Sequence, residues 1–458
     1  MSDRSMPPLG PPYAPRGALP PPIYPGRPPT RWPPAPPVIV PVEPEPAGAL
    51  PPGPGADRGD RAVRRRALVL ASIGSALVVI VALIAWSDAT DRGGSEDAAG
   101  TTTTVTTEAS SAPQDLGAAV AEIERFVERE RGLPFRQPVD VRLAGDAELA
   151  QLLAEDFAKE RGSMLELQEV LRATGLVSPR FDVVGAQQSL LDGSVLGFYD
   201  PETKQLVVRG AELTPFVRET LAHELTHALD DQWFDLDRPE LDTADDETSF
   251  AFTTLVEGDA VHVQNAYLAS LSVDEQSEAF AEEQQLLFDH PELFALPEVL
   301  IELVQEPYLE GPFVVQDLLD AGDRQQLDSA FVQPPTTSEQ IFDTQRYLDG
   351  EGAVDVPAPV PDAAASNRGV LGVLFFQELL RGAVPISEVD QALDGWGGDH
   401  YVTWIDTATG TTCLRDTFVG DSPQDTVELA TAITDWASGA GAIVDAPLAQ
   451  PATFTVCS

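Results

Sequence analysis

Three residues within one stretch, TPFVRETLAHELTHALDDQ from Thr214 to Gln232, have the types and spacing to hold a metal ion and move a proton beside it. His223, Glu224 and His227 stand in the order H-E-x-x-H. On a helix, positions i and i+4 share a face, so the two imidazoles can grip one ion while the adjacent carboxylate reaches into the same space as a base. The chemistry implied is Zn2+-assisted hydrolysis. A purely structural zinc site fits less well, because such sites favour cysteine, and Cys413 and Cys457 are both remote.

Two histidines leave zinc short of a ligand, since hydrolytic sites usually take three protein groups. The extension H-E-x-x-H-x-x-G-x-x-H fails here, with Asp230 in place of glycine and Trp233 in place of the third histidine. A downstream carboxylate is then the natural choice. Glu257, in LVEGDA, follows His227 by enough chain for a turn, a loop and a returning helix. Its surroundings are apolar nearly all round, and a carboxylate there is costly unless it meets a charge or a metal. Asp259 competes from the same helix. His262 and His290 have no motif support and read as structural.

The chain resembles a gluzincin-type metallopeptidase of the thermolysin-like clan, and in particular membrane-anchored or secreted bacterial members of it. The resemblance is carried by GFYDP, ETLAHELTHALDDQ, LVEGDA and GWGGDHY, which run from residue 197 to 401. It implies that zinc is held by His223, His227 and Glu257, with Glu224 as catalytic base. It also implies a tyrosine or histidine that stabilises the oxyanion. His400 and Tyr401 are the candidates, of which one can face the site because they alternate along a strand, and Tyr199 is a third. One departure stands out: many gluzincins have aspartate four residues after the zinc glutamate, where this chain has Val261, so the group that orients the histidines is not identified. A non-catalytic zinc-binding or interaction domain, or a zinc amidase acting on cell-wall peptides, are the alternatives. The substrate expected is a peptide or protein.

The elements that must position these residues follow from local pattern. Thr214 can cap a helix, Pro215 suits its first position, and apolar residues continue until polar ones take over at Asp230 and Asp231. Upstream, two β-rich runs, Val195 to Tyr199 and Gln205 to Arg209, flank the turn-forming Asp200-Pro201-Glu202-Thr203. They predict a hairpin, serving either as plain sheet or as an edge that pairs with extended substrate. Before it come a helix after Leu116, a strand from Pro138 and helices over 146–162 and 164–174. From Asp242 to the 380s the pattern is mostly helical, with segments near 273–289, 297–305, 312–320 and 324–332. A helix around Val370 to Arg381 leads to two strands about the turn at Thr407 to Gly410, then a helix and a last strand, Thr453 to Cys457. The fold class predicted is α+β: a zincin-like domain with a small sheet, the H-E-x-x-H helix and a mostly helical second half.

Composition divides the chain further. Of 41 prolines, 21 precede residue 55, and residues 1–60 have the composition of a disordered cytoplasmic tail. Residues 67–86, ALVLASIGSALVVIVALIAW, are uncharged and long enough to span a bilayer as a single transmembrane helix. The arginines at 61, 64, 65 and 66 put the N-terminus inside and all that follows outside the cytoplasmic membrane. Residues 87–114 read as a Thr/Ser-rich stalk and 115–458 as the zinc metallopeptidase-like ectodomain. Residues 1–86 carry nine Arg and no Lys against five acids, leaving 19 basic residues against 69 acidic ones in the remaining 372. That balance excludes nucleic acid as a partner, since a positive footprint is needed. Two cysteines beyond a membrane anchor predict one disulfide. Oligomeric state leaves no mark in the sequence.

Overall fold

The computed structural model describes residues 116–458, apart from 243–245 and 448–450. The expected tail, transmembrane helix and stalk lie outside the described residues. None of the described helices is long and apolar enough to cross a membrane.

The first half opens with α1 (Leu116–Arg131), β1 (Asp140–Ala144), α2 (Asp146–Thr174), α3 (Val183–Ser194), β2 (Gly197–Asp200) and β3 (Gln205–Arg209). The predicted hairpin is present as β2 and β3, antiparallel, with Gly197 opposite Val208 and Asp200 opposite Gln205. Strand β1 joins β3 on its other side in parallel, so the three-stranded sheet has the order β1-β3-β2 and β2 is its edge. Two helices were expected over 146–174, and one continuous helix is found. Gly162 breaks the pattern of good helix formers without breaking the helix, because a single interior glycine costs only about 1 kcal/mol.

Helix α4 (Pro215–Phe234) carries the H-E-x-x-H residues. Thr214 caps it, its side chain accepting from the amide of Val217, and Pro215 fills the first turn. The short α5 (Pro239–Asp242) and the long α6 (Asp246–Ser270) follow. The next elements are α7 (Val273–Asp289), a single 3-10 turn (Pro291–Ala295) and α8 (Glu298–Val332). Helix α8 merges the three segments expected between 297 and 332. Its interior prolines, Pro307 and Pro312, do not end it, and it breaks only at Gly322 and Asp323, where the backbone leaves helical geometry. Helices α6 and α8 cross with their backbones in contact: a Cβ on Gly258 would lie 2.3 Å from the carbonyl of Gly311.

The second half continues with α9 (Ser338–Phe342), α10 (Thr344–Asp349), β4 (Ala365–Gly369), α11 (Gly372–Leu380) and α12 (Ile386–Leu393). It closes with β5 (Trp396–Ile405), β6 (Thr412–Gly420), α13 (Pro423–Ala440), β7 (Ile443–Asp445) and β8 (Ala452–Cys457). The strands form a five-stranded antiparallel sheet, β4-β5-β6-β8-β7. The fold is thus α+β with two small sheets. Edge strands β4, which is polar, and β7, which is only three residues long, extend the predicted three. One apolar core joins this sheet to α11, α12 and α13 through Phe376, Val389, Trp396, Phe418, Ile433 and Phe454. Another seats α4 on α1 and the first sheet through Ile123, Val127, Leu206, Val208, Leu221 and Leu225. Cys413 and Cys457 face each other in the β6–β8 register and are joined by a disulfide with S–S 2.02 Å.

Candidate metal centre

Helix α4 is buried on nearly every side rather than on one stripe, and Arg218 is the exception between Pro215 and Asp231. Burial on all faces places His223, Glu224 and His227 inside the protein, where they meet α6. His223 Nε2 lies 3.2 Å and His227 Nε2 3.4 Å from Glu257 Oε2, and the two Nε2 atoms are 3.0 Å apart. Four ligands at the usual Zn–N and Zn–O lengths of about 2.05 Å stand about 3.3 Å from one another on a tetrahedron. The three atoms therefore already occupy something close to one face of such a polyhedron. His223, Glu224 and Glu257 are 0 % exposed and His227 is 2 % exposed, so the group is closed to solvent.

Electrostatics asks for a cation at the same point. Burial lowers the proton affinity of His227, yet the carboxylates of Glu257, Glu224 and Asp230 outweigh it and raise the imidazole to about 9. For Glu257, burial works upward, but the two imidazoles prevail and the carboxyl is held below its ordinary value. Two nitrogens and a carboxylate oxygen at these distances favour a shared positive charge between them. Oε1 of Glu257 is buried with no hydrogen-bond partner, as expected of a carboxylate whose main partner is an ion at the centre. His223, His227 and Glu257 can therefore hold a metal ion.

The residue that orients the first histidine is Gln264. Its Oε1 accepts from His223 Nδ1 at 2.9 Å, which fixes the tautomer and leaves Nε2 as the lone-pair donor. Gln264 stands seven residues after Glu257, two helical turns, and so lies on the same face of α6. A seven-residue spacing on a helix marks this position in the sequence, whereas Val261, four residues after Glu257, packs into an apolar cluster with Phe198 and Tyr308. The other end of the Gln264 amide serves Glu219, one turn before His223 on α4. Burial raises the Glu219 carboxyl to about 8, and the neighbouring Glu283 of α7 adds to the rise while Gln264 opposes it.

The oxyanion candidates lie elsewhere. Tyr401 donates to Asp246 Oδ2 at 3.0 Å and accepts from Asn367. Asp246 opens α6, eleven residues and about 16 Å of helix from Glu257. His400 turns to the carbonyl of Val356 at 3.2 Å. Both residues belong to the C-terminal sheet, and neither is among the residues that meet Glu257. Tyr199 donates to Asp231 Oδ2 at 2.7 Å, sharing it with Lys204 at 2.6 Å. The tyrosine that does border the group is Tyr308 of α8. Its ring stacks on His223, centroids 6.4 Å apart, and its hydroxyl bonds to Glu257. Burial and the Glu257 carboxylate hold that phenol well above its ordinary value. No local motif marks Tyr308. It arrives through the helix crossing, three residues before Gly311.

Asp259 is not a rival ligand: it points away and meets Arg131 Nε at 2.6 Å. Arg131 also holds Asp230 at 2.9 Å and Asp328 at 3.2 Å, joining α1, α4, α6 and α8 through one buried guanidinium. Asp230 and Asp231 therefore do not mark the emergence of α4 into water; both are buried and paired. His262 lines a surface cavity beside Arg131 and Asp259, and His290 precedes the 3-10 turn. A second acidic grouping, Glu339, Glu351 and Asp421, already surrounds the guanidinium of Arg346. The chain matches no family of known proteins, no curated protein and no solved structure.

Proposed function

We propose that the protein is a zinc-dependent peptidase of zincin-like fold, anchored by residues 67–86 with its catalytic domain outside the cytoplasmic membrane. The observation that carries this reading is the convergence of His223 Nε2, His227 Nε2 and Glu257 Oε2 within 3.0–3.4 Å, with Glu224 on the same buried turn. A donor set of two imidazoles and one carboxylate suits Zn2+. When bound, the ion would supply Lewis acidity to a water and to the scissile carbonyl. The chain's own groups do the rest. Glu224 accepts the proton of the attacking water and returns it to the leaving amine. Tyr308 is the donor nearest to where negative charge would develop. Gln264 holds His223 in register. Strand β2, the edge of its sheet, is the place for extended substrate to add main-chain hydrogen bonds. The disulfide supports an oxidising location.

Substrate reaches Glu224 only if packing over the site opens, and the excursion between α6 and α8 is the segment to move. Its helix α7 packs on α4, and Leu293 of its 3-10 turn shares an apolar cluster with Phe198, Val261 and Tyr308. The same closure favours a second reading, a buried metal that stabilises a non-catalytic binding domain. Metal content and cleavage of casein or quenched peptides, measured on wild type and Glu224→Gln, separate the two. The peptidase reading expects stoichiometric zinc in both and turnover in wild type alone, lower by about 10²-fold or more in the variant. Stoichiometric metal with equal, background cleavage in both proteins supports the non-catalytic domain.

A further inference from the structure

The stretch GWGGDHY forms the start of β5, and its aspartate meets a second aspartate inside the C-terminal sheet. Asp399 stands opposite Phe418 in the β5–β6 register, so Asp416, two residues back along β6, lies on the same face. Asp399 is 4 % exposed and Asp416 0 %. Asp399 accepts from the amides of Leu371 at 2.7 Å and Gly372 at 2.9 Å, and from the indole of Trp396 at 3.0 Å. Asp416 receives no N–H or hydroxyl from the described residues, and the one hydrogen bond of its carboxyl is with Asp399. Neither residue makes an ion pair among the described residues. The helices covering this face are α2, α11, α12 and α13, packed on it through Val170, Phe376, Val389 and Ile433. The last three contain no Lys, Arg or His. In α2, Arg172 turns to the carbonyl of Phe181, and Arg381, just beyond α11, is held by Glu302 and Glu378. What the surroundings add is further acid: Glu169 accepts from Thr403, Glu166 acts on the Tyr401 phenol, and Asp246 and Glu247 open α6. Two buried carboxyls in contact, with no cation beside them, cannot both be ionised. Burial raises Asp416 well above the ordinary aspartate value, with Asp399 adding to the rise, and raises Asp399 to about 6. Three N–H donors favour the charge on Asp399, so the proton belongs to Asp416 and is donated to its neighbour.

We infer that Asp399 and Asp416 share one proton and form a proton-dependent clasp: with the proton present, Asp399 holds the turn at Leu371 and Gly372, and its loss sets two like charges against each other and frees that turn. The turn matters beyond the sheet. Gly372 lies so close to Glu247 that a Cβ on it would collide with the carboxylate. Glu247, which also accepts from the amide and hydroxyl of Ser338, belongs to the first turn of α6, the helix that bears Glu257. Release of the clasp therefore loosens the seat of α6 at its N-terminal end. The stability the shared proton confers is complete below the ordinary aspartate range and is lost as pH rises through the raised Asp416 value. The clasp is read without turnover, so its failure and the failure of the peptidase reading are distinct results.

The test is infrared spectroscopy and amide hydrogen exchange on the full-length protein in lipid nanodiscs, for wild type and Asp416→Asn. Asparagine is nearly isosteric with aspartic acid and donates permanently to Asp399, as the protonated acid does. At about pH 7, wild type should show a protonated-carboxyl stretch that is missing in Asp416→Asn. Protection of the Leu371 and Gly372 amides, corrected for the intrinsic pH dependence of exchange, should fall in wild type between about pH 5 and about pH 9. The fall relative to the variant should reach about tenfold per pH unit, because the opened form binds one proton fewer. Other buried acids titrate in both proteins and cancel in the comparison. Equal carboxyl bands in the two proteins, or parallel protection profiles, would overturn the inference. Failure of Asp416→Asn to fold would overturn it too, since a neutral donor at that position is the native form the clasp requires.

Discussion

Gly258→Ala tests whether the crossing of α6 and α8 sets the metal centre. The new Cβ would lie 2.3 Å from the carbonyl carbon and oxygen of Gly311 and 2.5 Å from its Cα. All three are backbone atoms of a helix, so no rotamer change relieves the contact. Ordinary carbon contacts are about 3.5–4.0 Å, so the axes must part by roughly 1 Å or more. Overpacking of this kind costs about 3 kcal/mol at the upper end of its usual range, and alanine's better helix propensity returns about 1, leaving a net loss of about 2 kcal/mol. Because Glu257 adjoins Gly258 and Tyr308 lies three residues before Gly311, the same parting disturbs the Tyr308 contact with Glu257. Thermal melts of wild type and variant, with zinc retention against a chelating dye, should show lower stability and weaker retention together. Gly162→Ala is the control: it has nothing within 4 Å of its added Cβ and should gain about 0.5–1 kcal/mol. If Gly258→Ala melts and holds metal as wild type does, the crossing does not govern the site.

The remaining predictions use the same protein. Gln264→Ala should weaken metal retention about 10–100-fold by freeing His223 Nδ1, and Glu219→Gln combined with Gln264→Glu, which exchanges amide and carboxylate along the chain of bonds, should recover much of it in the same dye competition. Glu219 and Glu283 have folded-state values raised to about 8 and about 7, chiefly by burial. The stability they confer is thus complete below about pH 4.5 and is lost as pH rises through those values, so melting temperature should fall from about pH 5 to pH 9, less steeply in Glu283→Gln. The disulfide spans 44 residues of chain and should contribute about 4 kcal/mol on the loop-entropy estimate, read as the stability lost in the Cys413→Ala/Cys457→Ala double variant by denaturant titration.

Much of the fold was legible because local rules and tertiary outcome agree. Thr214 and Pro215 fix the start of α4, the Asp200-Pro201 turn fixes the hairpin, and alternation fixes β5 and β6. Where reading fell short, long-range partners decided. Strand β4 is Ala365–Gly369, ASNRG, with no apolar alternation, and exists because β5 offers it a free edge. The acids at 230 and 231 look like a solvent-facing helix end, and only Arg131, ninety-nine residues earlier, and Tyr199 make them interior.

The site divides along the same line, and the division follows from how each residue is delivered. His223 and His227 on one helix stand four apart and Glu257 and Gln264 on the other seven apart, so helical period alone puts each pair on one face, with Glu224 adjoining the first. Tyr308 has no such relation to any of them. It depends on α8 returning against α6 at one particular height, and the marks of that event are Gly258 and Gly311, small residues in buried helices. Each stands within three positions of a residue at the centre. Glycine costs about 1 kcal/mol relative to alanine inside a helix, and a pair of them in contact offsets that cost only by allowing backbones to approach. LVEGDA therefore carries two instructions in adjacent letters: a carboxylate for the ion, and the absence of a side chain that lets α8 bring its tyrosine to that carboxylate.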